Sequence, residues 1–523
     1  MLRPLIPLDV YRAPPPLNTT WSQYIQEGHV ELLDAREESG AYVAAVETTA
    51  TQEHTHREVF HAASLGACTA TIPFLDHEPS PRAAYYTNQA QQSMGFDSRV
   101  MANRMSDSKV FQLYYPQKSL VSTSFEHSSG IENSAPQGVN VSVCVLSLQG
   151  CEEDAILLSR AAVERGLFLG AEFNVKTITT ADRTKKCFAH PNATGDNPDN
   201  PVDEFATVKQ EHHALDTKSG IARVGERLQT GDAIAGVAGI RGVRTVNHIA
   251  TLPATVDRVL VYEEPSGHRV AKVRLRTVRT LAVGDKIASR FSQKGIVGRL
   301  VDEEEMPWLE DGSGRIDMII NPCYIPSRMT IGQPTEATLG YALASLGMSR
   351  GDASAFAHST LSVVENLKAK GFNSFKKWLR CPITGERLGK VNIGLVKYNR
   401  LNKFASDKCR IRTTGKRDLI SNQPCAGRNP GERALRVGGM ETTALAAHGA
   451  AKVLDDASRD RSDGCTSLVC ANCGNTHMPT PEALCALCSH PAVKISSTTA
   501  TTRMMQICES MNIAMSLDTR ELE

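Results

Sequence analysis

The 523-residue sequence has no apolar run of 18 residues, and its first thirty positions lack the apolar core of a secretory signal. Neither a membrane-spanning helix nor a secretory leader is expected, and the chain reads as soluble and intracellular. Excess charge is also lacking, since 58 Lys and Arg stand against 57 Asp and Glu, a net +1. Any polyanion site must therefore be a local patch. Cysteine is sparse, at 14 residues, and most occur singly. Cys68, Cys144, Cys151, Cys187, Cys323, Cys381, Cys409 and Cys425 share no metal-ligand spacing, and lone thiols in a reducing compartment are ordinarily small buried hydrophobes. The motifs G-x-x-x-x-G-K-[ST], H-E-x-x-H and G-x-S-x-G are absent, as is the Rossmann glycine fingerprint. P-loop, zinc-protease, serine-hydrolase and dinucleotide-enzyme readings lose their basis.

What is present is ordinary globular composition, 41% hydrophobic and 22% charged, which excludes a mostly disordered chain. Its length suits roughly three or four domains. Residues 1–60 are mixed, with a proline run at Pro14, Pro15 and Pro16 and an acidic turn at 34–38. Val139, Val141, Val143 and Val145 alternate with Asn140, Ser142 and Cys144, the period of a strand. The acidic triplet Glu152, Glu153 and Asp154 follows, and residues 155–165 predict a short helix ending at Gly166. Residues 171–283 read as a β-rich insertion with a polar loop at 192–203. Its last strand, 270–278, sets Val273 and Leu275 against Lys272, Arg274 and Arg276. A motif-dense region spans 284–433. The last ninety residues combine a helix near 440–455 with a four-cysteine unit. The fold class is multidomain α+β.

Cys470-x2-Cys473 and, eleven residues on, Cys485-x2-Cys488 form the strongest local signal. Each pair converges two thiolates, and four close a tetrahedral zinc shell, which makes the ion structural; redox dithiols are the alternative. Cys465 and Cys508 fall outside this pattern, and His477 and His490 are expected in solvent. The segment GDKIASRFSQKG carries Lys286, Arg290 and Lys294 between glycines, which suits phosphates, although a solvated face fits the composition too. Between Arg400 and Arg417, seven cations (Arg400, Lys403, Lys408, Arg410, Arg412, Lys416 and Arg417) oppose only Asp407. Such density can bind a nucleic-acid backbone, and the alternative is a solvated loop. In NPCYIPSRMTIGQ two prolines flank a turn whose exposed candidate is Arg328. Glu153 and Asp154 fit a metal or acid–base pair, or simply a solvated loop.

Together these segments resemble the C-terminal half of the second-largest (β-like) subunit of multisubunit DNA-directed RNA polymerases. The segments SPR (Ser80 to Arg82), YYPQK (Tyr114 to Lys118), EED (Glu152 to Asp154), GDK–QKG, IPSRMTIGQ and AHGAA (Ala447 to Ala451) occur in the family's order across residues 30–523. The wording IPSRMTIGQ and the terminal cysteine unit look archaeal, eukaryotic or large-DNA-virus-like more than bacterial.

The resemblance implies nucleotidyl transfer. Arg82 and Arg328 match arginines aimed at the incoming triphosphate, and Glu153 and Asp154 match an acidic pair beside a second magnesium ion. Lys286 and Lys294 match lysines that reach the RNA 3′ end. Gln92 and Gln117 fall in segments lining the RNA–DNA hybrid, and Arg290, Arg410 and Arg412 are candidate nucleic-acid contacts. By the same resemblance, 1–60 is a remnant of the external region, 61–170 and 284–433 are hybrid-binding regions, 171–283 is the wall, and 434–523 is the anchor and clamp segment. The implied cofactors are one structural zinc and magnesium held mainly by the largest subunit, whose N-A-D-F-D-G-D motif is absent here. The implied partners are that subunit, a chain supplying the N-terminal half (as in a split gene), assembly-platform subunits, template DNA, RNA transcript and NTPs. The implied location is nucleus, cytoplasm or virion according to source. Three segments depart from the family's pattern: Phe291 and Ser292 stand for His-Gly, Ser119 for a proline, and Gly439, Thr442 and Thr443 for charged residues. The alternative is a catalytically inactive paralogue serving as an assembly or regulatory scaffold.

Overall fold

The computed structural model describes residues 3–8, 20–44, 50–59, 65–96, 105, 109–180, 185–191, 210–239, 242–248, 250, 252–357, 360–372, 376–409, 415–425, 434–476, 478 and 480–515. The proline run at 14–16, the polar loop at 192–203, His477, Arg410 and Arg412 lie outside these residues. The chain divides into two compact units, Met1–Asp407 and Lys408–Glu523. Among the described residues no helix is long and apolar enough to cross a membrane.

In the first unit, helix α1 (Ser80–Gln91) precedes strand β1 (Val139–Val145), where Val139, Val141 and Val143 are buried as their alternation requires. The chain continues through β2 (Ala155–Ser159), β3 (Gly170–Thr179), β4 (Ala254–Glu263), β5 (Arg269–Arg279) and the hairpin β6 (Lys286–Ser289) and β7 (Lys294–Val301). After β8 (Trp308–Leu309) and β9 (Met318–Ile320) come helices α2 (Tyr324–Arg328) and α3 (Gly332–Ser345), then the hairpin β10 (Lys376–Arg380) and β11 (Arg387–Arg400). Six strands pair in the order β6-β7-β2-β9-β1-β11, and β6 also pairs with β11, so the ring closes. Val141, Val143, Ile156, Leu158, Ile287, Val297, Met318 and Val396 fill one core of this barrel. Leu157, Val301, Ile319, Leu379 and Ile393 form a second core on the other side of the same strands.

This two-sided burial corrects the helix expected at 155–165. Ile156 and Leu158 face one core and Leu157 the other, so β2 reads as an unbroken apolar run with no period of two. Only residues Arg160–Glu164 form a helix, capped by the Ser159 hydroxyl. The acidic turn at 34–38 is likewise a short helix, Ala35–Ser39, with the Asp34 carboxylate accepting from the N–H groups of Arg36 and Glu37. The described residues within 170–279 are β-rich: β3, β4 and β5 share a five-stranded sheet with Arg227–Leu228 and Val110–Leu113. Val273 and Leu275 are buried, and Arg274 turns outward to Asp257.

Arg400, counted above with the basic stretch, is fully buried at the end of β11. It donates to the carbonyls of Phe168 (2.6 Å), Arg279 (2.5 Å) and Thr280 (3.0 Å) and to Asp285 Oδ2 (2.8 Å). Burial pulls its pKa down to about 10, against the pull of Asp285. Lone cysteines also divide: Cys144, Cys151 and Cys187 are buried as expected, but Cys323 and Cys409 are exposed.

In the second unit the single helix expected near 440–455 is two, α4 (Gly439–His448) and α5 (Ala451–Ser458), because Gly449 adopts φ +79° and ends the first. Strands β12 (Gly464–Cys470) and β13 (Ala492–Thr498) pair antiparallel, and α6 (Thr499–Ser510) follows.

Removing a buried cation strands its partners, so Arg400→Met should cost about 3–5 kcal/mol by leaving Asp285 unpaired. Thermal or urea denaturation measures this, and melting at the wild-type temperature would show the network to be dispensable.

Candidate functional site

The sequence Ser80-Pro81 starts α1 with proline in its first turn, where the missing N–H costs nothing. One face of that helix then carries Arg82, Tyr85 and Gln89 at helical spacing, and Gln92 follows as its C-cap. The Arg82 guanidinium lies 5.8 Å from the Tyr85 ring centroid. Opposite this face runs the β6–β7 hairpin with Lys286 and Lys294. The turn before β2 supplies Asp154, and the end of α2 supplies Arg328. These elements bound an open cleft of ≈ 480 Å³ lined by Arg82, Tyr85, Asn88, Gln89, Gln92, Asp154, Lys286, Ser292, Lys294, Ile296 and Arg328. Four cations and one carboxylate face it.

Backbone geometry holds these groups together. Ile296 donates its N–H to the Asp154 carbonyl (3.0 Å), and a Cβ on Gly295 would come within 2.9 Å of that oxygen and 2.2 Å of Ile156, so only glycine admits the approach. Arg328 ends α2, where Met329 turns to φ +56°. Its guanidinium pairs with Asp154 and donates to Gln293 Oε1 at 2.6 Å. It is thus a half-buried, fixed group and not the exposed turn residue expected. Near Arg82, burial pushes the Glu78 carboxyl up to about 8, with the Gly332 N–H (2.7 Å) and Arg82 acting against the rise.

Three sequence-derived candidates lie away from the cleft lining. Glu153 is exposed on the adjoining turn at φ +53°. Gln117 uses its side-chain oxygen to accept from the Asn140 N–H at 3.0 Å. Arg290 corrects the expectation of a phosphate contact. It is buried at the hairpin tip, paired with Glu336 (2.5 Å) and Glu126 (3.4 Å) and donating to the Val121 carbonyl (2.6 Å). Two of the departures from the family pattern, Phe291 and Ser119, sit beside it. Phe291 is buried with Ile72 and Tyr86. Ser119 donates its N–H to Glu132 (2.8 Å), which proline could not, while its hydroxyl accepts from Lys397 (2.7 Å). Sequence reasoning missed Tyr85, Asn88, Gln89 and Gln293; the helical spacing after Pro81 was the available signal for the first three.

In the second unit, Cys470 and Cys485 each open a tight turn. Cys470 donates its N–H to the Asn475 carbonyl and Cys485 to that of His490, both at 2.9 Å. Gly474 (φ +69°) and Ser489 (φ +58°) occupy the matching left-handed positions. The four thiol sulfurs lie within 4.8 Å of one another, with Cys470–Cys488 at 3.3 Å, Cys473–Cys488 at 3.4 Å and Cys473–Cys485 at 3.5 Å. A tetrahedral ion with Zn–S near 2.3 Å needs edges of about 3.8 Å, which the cluster fits. Backbone N–H groups of Leu487 and Cys488 help hold the Cys485 thiol down to about 6.

The described residues thus present a cationic cleft on a closed barrel and, in the second unit, a four-cysteine cluster that could hold a metal ion. Comparison with known proteins makes this specific. Residues 68–430 match RNA polymerase Rpb2, domain 6, and residues 434–520 match RNA polymerase Rpb2, domain 7. The chain belongs to this family of second-largest RNA polymerase subunits, matching its C-terminal part. It is 32% identical over 475 residues to DNA-directed RNA polymerase subunit Rpo2 of Saccharolobus shibatae, covering 87% of this chain and 41% of that protein. It is 32% identical over 486 residues to DNA-directed RNA polymerase II subunit 2 of Arabidopsis thaliana, covering 87% and 40%. To DNA-directed RNA polymerase I subunit RPA2 of Homo sapiens it is 35% identical over 441 residues, covering 82% and 38%. The chain spans about two fifths of the length of these relatives.

A structural ion supplies folding free energy directly. Elemental analysis of the purified chain should give one zinc per molecule, and Cys485→Ser should abolish it and loosen the second unit without disturbing the first. Less than half an equivalent in a folded, chelator-free preparation would rule out the site.

Proposed function

We propose that this chain is part of a DNA-dependent RNA polymerase and forms one side of its active-site cleft. The observation that carries the reading is the cleft gathering Arg82, Gln92, Asp154, Lys286, Lys294 and Arg328 from four separate stretches of sequence. In this reading the RNA 3′-OH attacks the α-phosphate of an NTP and pyrophosphate leaves. Arg82 and Arg328 hold the triphosphate. Their charge contributes more as the leaving group gains charge than it does in the ground state. Lys286 and Lys294 neutralise phosphates near the RNA end, and Gln92 and Gln117 belong to hybrid-lining segments.

Asp154, with Glu153 beside it, has the hard oxygen donors that suit a magnesium ion accompanying the nucleotide, which would screen charge on the phosphates. The largest subunit would supply the principal magnesium ligands. Residues 171–283 would serve as the wall, and 434–523 as the anchor and clamp segment docking on that subunit. The remaining length of the relatives, whether joined or separate, and the assembly platform complete the proposed complex.

A charge-assisted hydrogen bond is worth roughly 1.5–3 kcal/mol. Arg328→Ala should therefore slow single-nucleotide extension on a preformed RNA–DNA scaffold by about ten- to a few hundred-fold in the reconstituted complex. Lysine should restore part of the loss, because it keeps the charge without the fork. Scaffold affinity, measured in parallel, should hardly change. Wild-type extension by Arg328→Ala, or scaffold binding lost in proportion to rate, would overturn the triphosphate role.

A further inference from the structure

We propose that Gln293 is a positioning residue that aims the Arg328 guanidinium into the cleft; this rests on the triphosphate role given to Arg328 above. Gln293 does not line the cleft and is buried at the tip of the β6–β7 hairpin. Its side chain bridges two elements. Oε1 accepts from Arg328 Nη1 at 2.6 Å, and Nε2 donates to Thr330 Oγ1 at 2.6 Å, Thr330 being fully buried.

The chemistry fixes the amide's orientation. A guanidinium only donates, so the amide must turn its oxygen to Arg328 and its NH2 to Thr330, whose hydroxyl oxygen accepts. The two bonds straddle the left-handed Met329, so the amide spans the bend that ends α2. On its other amino nitrogen Arg328 pairs with Asp154, whose own environment would change on binding a cation. Gln293 carries no charge, and its hydrogen bond to Arg328 survives any such change. With Asp154 drawn to a metal, this bond still sets the guanidinium's direction, and its remaining N–H donors stay turned to the ligand.

The test is a double-mutant cycle in the reconstituted complex, reading the NTP concentration dependence of single-nucleotide extension. Gln293→Met keeps the shape and removes both bonds, so it should slow extension at limiting NTP by about ten- to a hundred-fold. Gln293→Glu, which keeps the acceptor, should retain most of the rate. In an Arg328→Ala background the Met substitution should cost no more than about twofold, because the group it aims is gone. Equal losses in both backgrounds would mean a structural role only, and no loss in the wild-type background would also overturn the proposal. If Arg328→Ala alone is wild type, the triphosphate reading fails and this proposal with it. If Arg328→Ala is slow and Gln293→Met is not, only the positioning role fails. Should Gln293→Met fail to assemble, Thr330→Val, which removes the hydroxyl that orients the amide, runs through the same cycle with the same outcomes.

Discussion

Closure of the strand ring between β6 and β11 is the constraint on which the cleft depends. Lys286 lies opposite Ile296 across one side of β6, while the next residue, Ile287, lies opposite Arg400 across the other. A strand bonded on both sides cannot slide by one residue without turning every side chain to the wrong face. The lysine positions along the hairpin are therefore fixed by backbone hydrogen bonds. The same ring brings β7 beside β2, which sets the Asp154 turn against Gly295, and β9 delivers the chain into α2 and Arg328. Three cleft walls thus come from one closed sheet, and α1 supplies the fourth.

Buried charge pins the hairpin tip. Taking Arg290 from water costs several kcal/mol, offset only by close and multiple partners. It has them in Glu336, Glu126 and the Val121 carbonyl. Burial raises the pKa of Glu126 and lowers that of Lys397, each against the pull of the opposite charges around it. An exposed pair such as Arg160–Asp302 contributes about 0–1 kcal/mol by comparison. That difference separates two kinds of cation within GDKIASRFSQKG. Arg290 is spent on the fold, and Lys294, exposed at the cleft, remains for a ligand. Ser119 belongs to the first kind of device, since it satisfies Glu132 and Lys397 where a proline would leave a carboxylate without that N–H.

What could be read in advance follows the range of the interactions. The four cysteines were legible because their spacing is local and the metal geometry dictates it. The cleft residues were legible only through the order of short motifs along the chain, since nothing in composition joins residue 82 to residue 328. Arg290 and Arg400 were misread because counting cations says nothing of the carboxylates that bury them. Glu126 lies 164 residues from Arg290. The helix expected at 155–165 failed because a strand packed on both faces loses its alternation. Gln293 drew no notice, since a neutral amide stands out only when its two partners are seen.

The second unit is built on a different balance. Among its described residues, Val469, Cys470, Met478, Cys485 and Met505 are the buried apolar ones, and three of these five form the cluster around the metal site. So thin a core among the described residues falls short of what a domain of this size ordinarily buries, and an ion held by the four thiolates would add folding free energy. Helices α4 and α5 bury none of their residues, and Leu435, Val437 and Met440 are exposed, Met440 at 88%. Helices of eight to ten residues are marginal in water without a packed face. In the proposed assembly that face is supplied by a partner. Gly439, Thr442 and Thr443, where the resemblance implies charged residues, remove the ionic contacts that the family pattern would make there. Burying exposed apolar area is worth about 25 cal/mol per Å² and is not screened by salt as ion pairs are, so in the proposed assembly docking through Leu435, Val437 and Met440 would be correspondingly insensitive to ionic strength.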